Sequence, residues 1–221
     1  MIPQTPFKRL ILRAVLNNVN PMVIRVVAVP DYLDLPNFDD VFRTLLGWDG
    51  LGFLFRVHGQ EFTSFRRRTR SQTLRDFQLR PREKFLYTCG AIDLWEWDIR
   101  LLDRETGADG DAAPLCLGGR GASPPEDCGG PTGYRLMLKR LKMGESMGTP
   151  AQVESVIGML SAADPDRPTS TWDILRKVLK DGFQSMDRQR QRYGPLDPHR
   201  FSLKEANQRL AKLVERGRLR A

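Results

Sequence analysis

Two apolar runs open the chain. Phe7 to Leu16 and Met22 to Val29 are rich in Val, Ile and Leu and are separated by Asn17-Asn18-Val19-Asn20-Pro21. Residues of that kind favour turns, so the pattern predicts a β-hairpin or meander. Asp34-Leu35-Pro36 follows, an N-cap candidate with a proline in the first turn. Phe38, Val41, Phe42, Leu45 and Leu46 then recur at i, i+3, i+4, i+7 and i+8, the period of an amphipathic helix that ends at Gly47.

The middle of the chain alternates. Phe53 to His58 reads as a strand stopping at Gly59, with Glu61-Phe62 opening the return. Phe65 to Arg70 is a basic loop or edge, and Glu83 to Cys89 a short strand. Leu94 to Leu102 sets Trp95, Trp97, Ile99 and Leu101 on one face and Glu96, Asp98 and Arg100 on the other, the alternation of a half-buried strand. Asp103 to Asp111 reads as an acidic hairpin loop. Between Cys116 and Tyr134 there are six Gly and three Pro, which predicts neither helix nor strand. A short helix is expected over 134–142, then helices from Thr149, from about Thr171 to Arg192, and from Ser202. Strands first and helices last predict an α+β fold. We expect an antiparallel or mixed sheet with one packed helix over 1–142, and a helical C-terminal region, 143–221, packed on it.

Length and composition narrow the class. A chain of 221 residues with 40% hydrophobic residues can bury a core without disulfides. No apolar run is long enough for a transmembrane helix, and the first residues lack the layout of a signal peptide. Three Cys, an odd number, fit a reducing cytoplasm, and a cytoplasmic protein with no membrane partner is expected. Two His leave little material for a His-based triad or metal site. The net charge of +8 divides into +5 over 1–80, −1 over 81–142 and +4 over 143–221. Of the 35 cations, 27 are Arg, the side chain suited to bidentate phosphate recognition, although a GC-rich genome produces the same bias.

The Gly/Pro segment carries a resemblance. Cys116-Leu117-Gly118-Gly119 followed by Pro124-Pro125-Glu126-Asp127-Cys128-Gly129-Gly130-Pro131-Thr132-Gly133-Tyr134 is similar to the signature of the pRiA-plasmid ORF-three-like family. Leu46-Gly47-Trp48-Asp49, Phe85-Leu86-Tyr87 with Gly90 and Trp95-Glu96, and Asn207-Gln208-Arg209-Leu210 resemble further family segments in the same order. The resemblance implies an α+β fold and a life on plasmids or mobile elements, as a transposon passenger protein of the TnpR type. No serine- or tyrosine-recombinase pattern accompanies it, so recombination activity is not implied. The chain also departs from the family. Leu51-Gly52-Phe53-Leu54-Phe55 stands where relatives carry a His pair, Trp97 replaces a His, and Ser123 replaces the Cys before Pro-Pro.

Three groups of residues are candidates for chemistry. Arg66, Arg67, Arg68 and Arg70 form the densest basic cluster and would contact phosphates of DNA or RNA without sequence information, unless they are only a solvated loop. The family loop, Pro124, Pro125, Glu126, Asp127, Gly129 and Gly130, offers a carboxylate pair for acid–base or cation work, against the simpler reading that the pair holds an irregular loop through backbone N–H groups. Cys89, Cys116 and Cys128 lack the tight pairs of a zinc site and read as buried thiols, so no cofactor, metal or catalytic residue is assigned. Trp95 and Trp97 could stack bases on an open sheet but read more simply as core. The expectation is a non-enzymatic binding or adaptor protein contacting nucleic acid nonspecifically. The alternatives are a metal-assisted enzyme centred on Glu126 and Asp127, and a protein–protein adaptor using the C-terminal helices.

Overall fold

The computed structural model describes residues 7–50, 52–64, 72–90, 93–107 and 112–216. Seven strands form one sheet among these residues: β1 Lys8–Leu16, β2 Ile24–Pro30, β3 Phe53–Val57, β4 Gln60–Thr63, β5 Lys84–Cys89, β6 Trp95–Thr106 and β7 Leu115–Arg120. Their order is β4-β3-β5-β6-β1-β2-β7, and every pairing is antiparallel. The fold is α+β.

Helix α1, Leu35–Leu46, connects β2 to β3 and forms for the local reasons seen in the sequence. The Asp34 side chain accepts from the Asn37 amide, Pro36 lies in the first turn, and Gly47 ends the helix at φ 76°. The apolar stripe of α1 packs against one sheet face. Phe42 meets Tyr87 and Trp97 edge-on at 5.2 and 5.0 Å, and Phe38 lies against Phe55 at 5.8 Å. All five rings are fully buried. Aromatic pairs of this geometry contribute about 0.5–1.5 kcal/mol each beyond their area. Trp95 and Trp97 point into this core, so they offer no stacking surface for bases.

Two sequence expectations are corrected. The strand expected to end at Leu102 continues as β6 to Thr106, because Asp103 to Thr106 pair with Lys8 to Ile11 of β1. The Gly/Pro segment does hold a strand. β7 pairs with β2 from Ile24 to Ala28, and glycine is required there by packing: a Cβ on Gly119 would lie 2.8 Å from the Phe201 ring. That ring belongs to the C-terminal segment, which continues as α5, Leu203–Glu215. Ser202 caps this helix, and Ala206, Leu210 and Leu213 are buried. Asn207 uses its side-chain amide as a strand would use its backbone. Its Oδ1 accepts from the Cys116 amide at 2.8 Å and its Nδ2 donates to the Cys116 carbonyl at 3.0 Å. The outer edge of β7 is thereby occupied, one of the ways proteins keep an edge strand from pairing with another chain.

The chain forms two compact units, one of 1–131 with 198–221, the other of 132–197. The sequence expectation placed its single division after 142. In the structure α5 belongs with the sheet. The second unit contains α2, Gly130–Met147 (which starts at the end of the first), α3, Pro150–Ala163, and α4, Thr169–Tyr193. Thr149 and Gln152 close a capping box at the start of α3, and Glu154 of α3 pairs with Arg176 of α4 at 2.8 Å. No helix among the described residues is long and apolar enough to cross a membrane.

Candidate functional site

The family loop follows β7 and closes over the C-terminal end of α1. Gly47 turns the chain so that Trp48, Asp49 and Gly50 face the loop from across 76 residues of sequence or more. Trp48 Nε1 donates to the Pro124 carbonyl at 2.8 Å, and Trp95 Nε1 donates to the Glu126 carbonyl at 2.9 Å. The Pro125 carbonyl accepts from the Cys128 amide, a tight turn across Glu126 and Asp127. The Gly129 amide donates to Asp93 Oδ2 at 2.7 Å. Gly129 and Gly130 take φ of 93° and 65°, which side chains with a Cβ rarely adopt, and so aim the chain into α2.

Glu126 is held on several sides. Oε2 accepts from the Asp49 and Gly50 amides at 2.8 and 2.9 Å, and Oε1 from Gly50 and from Arg43 Nη1 at 3.0 and 3.2 Å. Charge-assisted bonds to backbone N–H groups are strong, and they consume the lone pairs a general base would offer. Beneath it lies a buried polar chain. Arg43, only 4% exposed, donates from Nε to both oxygens of Asp39 at 2.9 Å and from Nη2 to the Gly52 carbonyl. Tyr87 donates its hydroxyl to Asp39 Oδ1 at 2.5 Å. Burial pushes Asp39 above the usual carboxylate range, against the lowering effect of Tyr87 and Arg43, and raises Tyr87 well above 10. Asp127 is exposed. The loop therefore brings together Pro124, Pro125, Glu126, Gly129 and Gly130 as a fastening between the end of α1 and the sheet.

A second buried cation stands at the other end of the same segment. Arg25 of β2, 2% exposed, donates from Nη1 to the carbonyls of Ile24, Arg120 and Gly121 and from Nη2 to Ser123 Oγ at 3.0 Å. Its guanidinium lies over the Phe201 ring at 4.5 Å. Burial lowers its pKa to about 10, opposed by Cys116 and reinforced by Arg209. Ser123 is thus one acceptor for this arginine.

The thiols are held in their neutral form. Burial raises Cys89 and Cys128 to about 12 and moves Cys116 upward as well. At a pKa of 12 roughly one thiol in 10⁴–10⁵ is ionised near neutrality, too few for a nucleophile. Among the described residues no three His, Cys, Asp or Glu side chains are grouped so as to hold a metal ion. Arg66, Arg67, Arg68 and Arg70 lie outside the described residues.

Sequence reasoning found the loop, and Trp48, Asp49 and Trp95 as family segments, but not the contacts that join them or the buried pair beneath. Asp39 and Arg43 were visible as an i, i+4 acid–base pair on α1, yet nothing local marked that pair as buried. Asp93 carried no signal of its own, and Tyr87 only its place in a family segment.

A sheet whose α1 end is fastened by a Pro-Pro-Glu-Asp loop defines a family rather than an activity. The profile of the plasmid pRiA4b ORF-3-like proteins matches residues 8–166, and the chain belongs to that family. The uncharacterized protein y4hQ of Sinorhizobium fredii (strain NBRC 101917 / NGR234) is 27% identical over 184 residues, 77% of this chain and 90% of that protein. The crystal structure of MM3350, a protein of unknown function from Methanosarcina mazei Go1, matches 62% of this chain and 83% of its own with a TM-score of 0.52. At 23% identity that likeness concerns the fold alone.

Proposed function

We propose that this protein is a non-enzymatic binding module of a plasmid or mobile element, contacting the nucleic-acid backbone nonspecifically through arginine clusters. The observation that carries this reading is the engagement of Glu126. The loop carboxylate best placed for chemistry accepts from Asp49, Gly50 and Arg43 and is spent on the fold, so the family motif supports a scaffold rather than a catalyst. What the chain offers a partner is charge, +8 in total and concentrated in Arg. Arg66, Arg67, Arg68 and Arg70 are the densest group and would neutralise phosphates with release of counterions. Fluorescence anisotropy with labelled duplex DNA and with RNA tests this. Binding at about 50 mM salt should weaken steeply as salt is raised, and changing the four residues to Ala should reduce it. No binding by the wild-type protein at that salt would overturn the proposal.

A protein–protein adaptor role for the C-terminal helices is the second reading. α3 and α4 leave Val156, Met159, Ile174 and Val178 at 53, 69, 64 and 61% exposure, an apolar surface of the kind that partners cover. A host protein that co-purifies with the wild type and is lost from a Met159→Asp, Val178→Asp variant would support it. Retention by the variant would argue against it.

A further inference from the structure

The sheet has a second face. α1 covers the side bearing Trp97, Ile99 and Leu101, and the alternate positions of β6, Glu96, Asp98 and Arg100, point the other way. Strand register then decides which side chains stand beside one another. Arg100 of β6 pairs directly with Lys84 of β5 on one side and with Arg13 of β1 on the other. Lys84 and Arg100 are exposed, and Arg13 is half-buried. Three cations therefore stand in one row across three adjacent strands, spanning about 10 Å at the usual strand spacing of about 4.8 Å.

Such a row works against the fold. Like charges directly opposite on neighbouring strands are destabilising. Of the acids on this face, which by register also include Asp103 and Glu105 opposite Ile11 and Arg9, one pairs with the row. Asp98 takes Lys84 at 3.2 Å, Glu96 accepts from Asn17 Nδ2 at 2.9 Å, and Glu61 is engaged by Arg56 at 2.7 Å. Among the described residues Arg13 and Arg100 enter no salt bridge. Further along the face, Arg120 of β7 pairs with Ile24 and is exposed. Val15, Val26 and Leu86, all half-buried, lie beside the row. Charges in a line across neighbouring strands suit an extended polyanion better than a small anion, which needs an enclosing cradle.

We propose that the row Lys84, Arg100 and Arg13 on the open face of the sheet is a phosphate-backbone binding site for nucleic acid. The proposal rests on the nucleic-acid reading above and assigns it residues other than Arg66, Arg67, Arg68 and Arg70. The large aromatic side chains of β5 and β6, Phe85, Tyr87, Trp95 and Trp97, face the core, so these strands supply phosphate contacts without base stacking. Recognition by this row is therefore indifferent to sequence.

The test compares the full-length wild type, an Arg13→Gln, Arg100→Gln variant, and the Arg66, Arg67, Arg68, Arg70→Ala variant by anisotropy across a salt series. The probes are mixed-sequence duplex DNA, single-stranded DNA and RNA. With duplex DNA each phosphate contact contributes about 0.9 to the slope of log K against log salt, so the Gln variant should lose about 2 from the slope and roughly tenfold or more in affinity. The loss should be equal across DNA sequences. Its melting temperature without nucleic acid should equal or exceed that of the wild type, because the variant relieves the row of like charges. Wild-type binding that the Gln variant keeps with an unchanged slope, while the Ala variant loses it, would overturn the row and leave the function standing. Absence of wild-type binding at about 50 mM salt would overturn both.

Discussion

Arg43→Ala should cost about 3–5 kcal/mol of folding stability, the range for breaking a buried ion pair from one side. The arginine is 4% exposed and serves three partners at once: both oxygens of Asp39, Glu126 and the Gly52 carbonyl. Its removal leaves Asp39 buried with the Tyr87 hydroxyl as the remaining donor among the bonds described. The loss should depend on pH in a defined direction. Burial already holds Asp39 above its unfolded value. A group raised in this way contributes stability that is present at low pH and lost as pH rises through the folded pKa. Removing Arg43 raises Asp39 further, so the deficit should be smaller at pH 5 than at pH 7. Urea unfolding at the two pH values measures it. A deficit under about 1 kcal/mol at pH 7, or one that grows on acidification, would show that Arg43 does not hold the pair. Arg43→Lys should fall between, since an ammonium keeps the charge but not the planar fork that spans Asp39 and Glu126.

Gly50→Ala is the second large effect. A Cβ at this position would sit 2.1 Å from Glu126 Oε1 and 3.2 Å from Arg43 Nη1, and Gly50 has no left-handed φ to complicate the outcome. The carboxylate must leave its cradle, giving up charge-assisted bonds from two amides, and the expected cost is about 3 kcal/mol. The double-mutant cycle separates this from a backbone effect. In a Glu126→Ala background the obstructed carboxylate is gone, and Gly50→Ala should then cost less than about 1 kcal/mol. Equal costs in the two backgrounds would mean that the cradle contributes nothing. Gly158→Ala is the control: no atom lies near its Cβ, it is in the interior of α3, and the change should stabilise by about 0.5–1 kcal/mol.

Both effects lie in a region that the sequence revealed unevenly. α1 was legible from end to end because its cap, stripe and stop are local. The buried face of β6 was legible because Trp95, Trp97, Ile99 and Leu101 alternate with polar residues. Its extension through Asp103 to Thr106 was not, since those residues are polar on both faces and are held by pairing with β1, some 95 residues away. β7 was hidden by its glycines, of which Gly119 leaves room for the Ile24 carbonyl and the Phe201 ring. Asp39, Arg43 and Arg25 look like solvent-facing positions because single-sequence patterning assigns charge to the outside. They are inside because Glu126, Tyr87 and the carbonyls of 120 and 121 come from elsewhere in the chain to meet them. The loop was recognised by resemblance, which identifies a motif without saying what it touches. The cation row on the open face became visible only through register, because Arg13, Lys84 and Arg100 are isolated charges along the chain.

The two-sided grip of Asn207 on Cys116 has a consequence for the order in which this protein is made. The sheet is encoded before residue 121, but the side chain that occupies its outer edge lies 91 positions after the residue it protects, beyond a separate helical unit. During synthesis all seven strands and α2 to α4 leave the ribosome before α5 does. For that interval β7 presents unpaired backbone groups, with Leu115 and Leu117 beside them, to any neighbouring nascent chain. Helix α5 is therefore the element that closes this edge, and protein cut short before it would carry the β7 edge open for its whole lifetime.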